Sequence, residues 1–110
     1  TDNFLPGLTQ GVVLGKSFLD SGFMELERDA QGFGHIWVKG KTQKIEVVYG
    51  KEFDYAIVYA PLDKTLICIE PQTGPTNAFN LEHEGKMKSL IVLEPGKTFQ
   101  ATYWIVPTGF

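Results

Sequence analysis

Two short runs in this chain alternate in polarity residue by residue, and no run of ten or more residues carries a helical period. In His35–Lys39, the residues His35, Trp37 and Lys39 fall on one side and Ile36 and Val38 on the other. In Lys44–Tyr49, Ile45, Val47 and Tyr49 oppose Lys44, Glu46 and Val48. A period of two is what a half-buried strand requires, because successive side chains leave opposite faces of a sheet. Gly40-Lys41 separates the two runs, so they are predicted to form a hairpin. Further strands are expected at Phe23–Glu27, Tyr55–Ala60, Leu66–Ile69, Ser89–Leu93 and Thr98–Val106. In the last of these, Phe99, Ala101, Tyr103 and Ile105 share a face opposite Gln100, Thr102 and Trp104. Turns are predicted at Asp29–Gly34, Gly50–Asp54, Pro61–Lys64 and Glu94–Lys97. Thr1–Gly15 reads as turn-rich with extended pieces, Lys16–Gly22 as a short helical turn or a loop, and Asn80–Met87 as a polar surface connection. Short strands with turn signals about every 8–12 residues indicate an all-β antiparallel sandwich or barrel.

The chain has 110 residues, enough for one domain with one modest core spanning residues 1–110. A net charge of −3, with Lys and Glu scattered, argues against a partner that presents a phosphate backbone. No apolar run approaches the roughly 18 residues of a membrane span, so no membrane partner is expected. Cys68 stands alone, which rules out an internal disulfide and fits a reducing, cytoplasmic compartment. Placed inside an apolar run, it reads as a small buried hydrophobe. The chain begins at Thr1, so the expectation is that its natural N-terminus lies upstream.

The chemistry concentrates after Leu66-Ile67-Cys68-Ile69. An apolar run without alternation reads as a strand buried on both faces. It leads into Glu70 and then Pro71, which has no N–H for a ladder and is expected to end the strand. Glu70 is thus predicted at the mouth of a buried strand, partly desolvated, an environment that suits a general base. Loop residues follow, Gly74-Pro75, Asn77 and Asn80, with Phe79 expected as a hydrophobic plug. His35 and His83, the two histidines, have no partner at a zinc-like spacing, so no metal site is predicted. His35 reads as flanking a turn and His83 as solvated between Glu82 and Glu84.

The string Glu70-Pro71-Gln72-Thr73, Gly74-Pro75 and Ala78-Phe79-Asn80 resembles the signature near the C-terminal end of the aldose 1-epimerase (galactose mutarotase) family. In that family an aliphatic run leads into Glu-Pro-x-Thr, a Pro-containing turn and Ala-Phe-Asn. Asn77 stands where many members carry an acid. Leu19-Asp20-Ser21-Gly22-Phe23 resembles the family's Leu-Asp-Asp-x-Phe, with Ser21 replacing the second acid. The resemblance implies that Glu70 is the general base and that Asp20 contacts sugar hydroxyls; on the residues alone, Asp20 reads as a turn cap. It also implies an isomerase acting on a hexose without a cofactor, with the general acid a histidine from a part of the chain preceding Thr1. The implied fold is the C-terminal part of a galactose mutarotase-like supersandwich. A non-catalytic carbohydrate-binding β-sandwich is the alternative. Trp37, Tyr55, Tyr59 and Trp104 are candidates for a sugar-facing aromatic surface. Unpaired strand edges in such a portion predict self-association or pairing with the missing N-terminal portion.

Overall fold

The computed structural model describes residues 13–16, 18–20, 24–25, 27–87 and 90–110, with the backbone alone at Leu19, Met24 and Glu25. The described chain is all-β apart from one short helix, and every strand pairing is antiparallel. In chain order the elements are β1 (Leu19–Asp20), β2 (Met24–Glu25), β3 (Gly34–Lys39), β4 (Lys44–Tyr49), β5 (Tyr55–Ala60), β6 (Cys68–Gln72), α1 (Ala78–His83) and β7 (Tyr103–Thr108). The expectations on Phe4-Leu5, Val12 and residues 21–23 lie outside the described residues.

The alternating runs form the predicted hairpin. Ile36 stands opposite Val47 and Val38 opposite Ile45. β7 adds to the other side of β4, giving a sheet ordered β3-β4-β7. The second sheet is built on β5. Tyr59 pairs with both Asp20 and Cys68, so β1 and β6 lie on opposite edges of β5. Tyr55 pairs with both Glu25 and Gln72, which puts β2 on the β1 side.

The two sheets meet through their apolar faces. Val47 and Tyr49 of β4 cluster with Phe53 and with Ala56 of β5, and Ile36 and Ile69 pack against this group. Val58 and Ala60 continue the core with Leu14, Ile36 and Ile67. Period-two alternation explains the selection. Ala56, Val58 and Ala60 leave β5 on the side facing β4, and small side chains there allow close approach. Tyr49 is fully buried, its ring edge-on to Phe53 with centroids 6.4 Å apart. Its hydroxyl has no hydrogen-bond partner, and burial pushes its pKa well above the ordinary tyrosine range.

Arg28 fastens two turns below this core. Its Nη1 donates to the carbonyls of Gly32 (3.1 Å) and Gly50 (3.3 Å). Its Nη2 donates to the carbonyl of Phe53 and to Asp54 Oδ1, the latter at 2.9 Å.

Five expectations are corrected. The apolar run at Leu66 is not a strand buried on both faces. Pairing starts at Cys68, Leu66 is exposed, and β6 is an edge strand of half-buried residues around an exposed Glu70. Pro71 does not end the strand but lies inside it, opposite Ala56. An edge tolerates proline when the ring nitrogen faces away from the neighbour. Asn80–Met87 is not all surface connection, because α1 covers its first residues. The helix closes on Gly85 at φ 67°, with Lys86 N–H donating to the Leu81 carbonyl, the left-handed stop that glycine permits. Finally, residues 90–93 form no strand, and the last strand starts at Tyr103, not Thr98. Among the described residues, no helix is long and apolar enough to cross a membrane.

Candidate functional site

Residues directly opposite each other in an antiparallel pair send their side chains to the same face. Asp20, Tyr59 and Cys68 therefore share one face, and Ile57 and Glu70, two positions along, share it as well. This is the face turned away from the Ala56–Val58–Ala60 core. Asp20 and Glu70, fifty positions apart in sequence (70 − 20), so occupy the two edge strands that flank β5 on the same side of the sheet. Two strand spacings and two residue rises put their Cα atoms about 12 Å apart. Phe18 extends this face, with its ring edge-on to Tyr59 at 6.0 Å between centroids. Two carboxylates, an aromatic pair and the Gln72 amide on one side of a sheet are the polar and apolar contacts a sugar ring uses.

The backbone of Glu70 is held firmly. Pro71 has no N–H, so its pair with Ala56 is the non-hydrogen-bonded kind, and the alternation makes Glu70 and Ile57 exchange both ladder bonds. The carboxylate itself is exposed, which corrects the expectation of partial desolvation. The cause is its position on an edge strand with no element described above it. Pro75 is buried in the loop that follows. Asn77, at φ 65°, sits in the left-handed region that Asn and Asp tolerate best, and its Oδ1 accepts from Asn80 Nδ2 at 2.6 Å. Phe79 is not a plug: it is 82% exposed on a helix that buries no residue.

Asp20 lies in a strand and not at a turn cap. Of the aromatic candidates, Tyr55 is buried, Tyr59 lies on the Glu70 face, and Trp37 and Trp104 lie exposed on the outer face of the other sheet.

A second cluster went unread in the sequence. His35 does not simply flank a turn; it is bracketed by two carboxylates. Its Nδ1 lies 2.8 Å from Glu46 Oε1 and its Nε2 lies 2.7 Å from Asp29 Oδ2. Lys44 Nζ donates to the other Glu46 oxygen at 2.7 Å. Asp29 Oδ1 also accepts the N–H groups of Gln31 and Phe33, each at 2.9 Å. Hydrogen bonding to Asp29, then to Glu46, raises the His35 pKa above its ordinary value. The bond from His35 lowers Asp29, and the bond from Lys44, then that from His35, lowers Glu46. The hairpin register carried the signal, since Glu46 faces Trp37 and so shares the outer face with His35. This group holds a turn to a hairpin. With a carboxylate on each ring nitrogen, His35 is not open to a ligand. His83 is exposed in the last turn of α1. Among the described residues, no His, Cys, Asp and Glu group is arranged to hold a metal ion.

Comparison with family models, with curated proteins and with solved structures finds no match for this chain.

Proposed function

We propose that this chain is the C-terminal portion of an aldose 1-epimerase-like β-sandwich isomerase that interconverts the α and β anomers of a hexose. The observation that supports it is the shared face of Asp20 and Glu70, the two residues singled out by separate motifs. In this reading Glu70 takes the proton from the anomeric hydroxyl. An acid protonates the ring oxygen, the bond between C1 and that oxygen breaks, and the C1–C2 bond rotates. Reversal of these steps on the other face of the carbonyl gives the second anomer. Asp20 accepts hydrogen bonds from sugar hydroxyls, and Tyr59 with Phe18 offers an apolar edge. The acid is not His35, whose ring is engaged on the other sheet. It is a histidine of the remaining part of the protein, which also closes the cleft over Glu70.

Polarimetry on freshly dissolved α-galactose and α-glucose tests the reading in the full-length protein. Glu70→Gln keeps the shape but accepts no proton, so kcat falls by ~10²-fold or more while KM moves little. An unchanged rate removes Glu70 as base.

The exposure of Glu70, with no described histidine placed on its face, favours a second reading: a carbohydrate-binding module without catalysis. It expects no anomerase activity in the full-length protein, yet saturable amide shifts at Asp20, Tyr59 and Glu70 on titration with either sugar. Neither activity nor shifts at these residues would overturn both readings.

A further inference from the structure

The outer edge of β7 differs from the other edges in chemistry and in what it leaves unpaired. The Gly50 N–H donates to the Thr102 carbonyl at 2.9 Å, so Gly50 and Thr102 form a hydrogen-bonded pair. Alternation then turns the backbone groups of Trp104, Val106 and Thr108 toward β4. Those of Tyr103, Ile105 and Pro107 point the other way, which is why Pro107 fits: its missing N–H is not needed by β4. Among the described residues, no strand lies on that outer side.

Proteins protect bare edges with charges, and this one carries none: no charged residue lies between Thr98 and Phe110. The net charge of −3 therefore sits elsewhere and does not hold two such edges apart. Both sides of the strand are apolar and partly exposed, Trp104 packing edge-on to Phe33 and Tyr103 to Phe53. Ile105 is 62% exposed, Phe99, Tyr103 and Trp104 are 41–49% exposed, and Phe110 is 75% exposed. The exposed parts of these four rings equal about two whole aromatic side chains, or roughly 300–500 Å². Ile105 and Val106 add to this, so the bare edge is flanked by apolar surface on both faces of the strand.

We propose that β7 pairs antiparallel with β7 of a second copy of this chain about a twofold axis, joining the two β3-β4-β7 sheets into one. The outward backbone groups restrict the registers to those that pair odd-numbered residues with odd-numbered residues. With the axis at Trp104, Tyr103 of each copy faces Ile105 of the other, and each such pair exchanges both backbone bonds. An axis at Ile105 makes as many bonds over residues 103–107, but it leaves its two Tyr103–Pro107 pairs bonded on one side only, because proline has no N–H to give. The Trp104 register also brings the two indoles together in a close, non-hydrogen-bonded pair on the outer face.

Sedimentation equilibrium of the full-length protein, from low micromolar to near-millimolar, is the test. The expected result is a monomer–dimer equilibrium, with the Tyr103 and Ile105 amides gaining exchange protection as the dimer fills. Ile105→Pro removes an outward N–H and the isoleucine side chain but no group that bonds to β4. It leaves the β4 ladder intact, so its circular dichroism is expected to be unchanged and its dimer lost. Ile105→Lys, a second variant that keeps the backbone, also gives a monomer. Phe79→Ser, which removes an exposed ring elsewhere, leaves the dimer intact. A wild-type monomer at every concentration, a dimer that survives both Ile105 variants, or open-ended assembly overturns the proposal. None of these outcomes depends on sugar binding or on Glu70.

Discussion

The buried hydroxyl of Tyr49 supports a prediction that runs against the usual rule that core substitutions destabilise. Tyr49→Phe removes one oxygen and leaves the ring where it packs, against Phe53 and between the sheets. A buried hydroxyl without a partner costs about 1–3 kcal/mol in proteins. The small void left by one oxygen takes back part of that. The net expectation is a gain of about 1 kcal/mol, or a Tm rise of about 4 °C in a chain of this size. Urea unfolding followed by tryptophan fluorescence should show a higher midpoint with an unchanged slope, the mark of altered stability at constant exposed surface. pH supplies an independent arm. The folded pKa of Tyr49 is raised above its unfolded value of 10.0 by burial, so above pH 10 the unfolded tyrosine ionises while the folded one keeps its proton, and stability falls as pH rises. Wild type should therefore weaken above pH 10 more steeply than Tyr49→Phe. A loss of about 1 kcal/mol or more in the variant, with the slope unchanged, would refute the reasoning by showing that the hydroxyl is satisfied in solution.

The His35 cluster predicts a stability optimum at mildly acidic pH. A raised His35 pKa contributes fully below about 6.5 and fades as pH climbs through the folded value, whereas the lowered Asp29 and Glu46 contribute above their unfolded values of 3.8 and 4.5 and fade in acid. Urea midpoints should thus peak between about pH 5 and 6.5, and His35→Gln should abolish the decline on the alkaline side; a parallel profile in the variant would dismiss the cluster. Gly50→Ala aims a methyl group at the Thr102 carbonyl that the same residue's N–H holds. A cost of about 1–3 kcal/mol is expected, with faster hydrogen exchange at Trp104 and Val106 and unchanged exchange across the β3–β4 hairpin. Uniform acceleration throughout the chain would contradict that local account.

What could be read from the sequence was whatever depends on neighbours along the chain. The ranges Lys44–Tyr49 and Tyr55–Ala60 coincide with β4 and β5 residue for residue, because each carries its own period or apolar character between clear turns. β6 was displaced because a sequence does not say whether a strand is central or at an edge, and only that distinction decides what Pro71 does. Ile91, Val92 and Leu93 have strand-forming side chains, yet a strand needs a ladder partner and none meets them among the described residues. The same limit applies at the candidate site. Glu70 and Asp20 were each identified by local motif, but their common face follows from the register of three strands, which no local pattern encodes.

The placement of β7 also bears on how the chain reaches this structure. The β3–β4 hairpin closes across a handful of residues, between Lys39 and Lys44, and β5 follows one turn later. Hairpins of this kind form in about 1–10 μs. β7 must instead find β4 after an intervening segment of more than fifty residues, from Tyr49 to Tyr103. Closing that loop costs entropy before any of its contacts repay it, so β7 is the natural last strand to dock. Substitutions in β7 should then act mainly by speeding unfolding, while those in the β3–β4 hairpin should slow folding. Until β7 arrives, the edge of β4 stands open, and that interval is when a nascent chain is most exposed to pairing with the wrong strand.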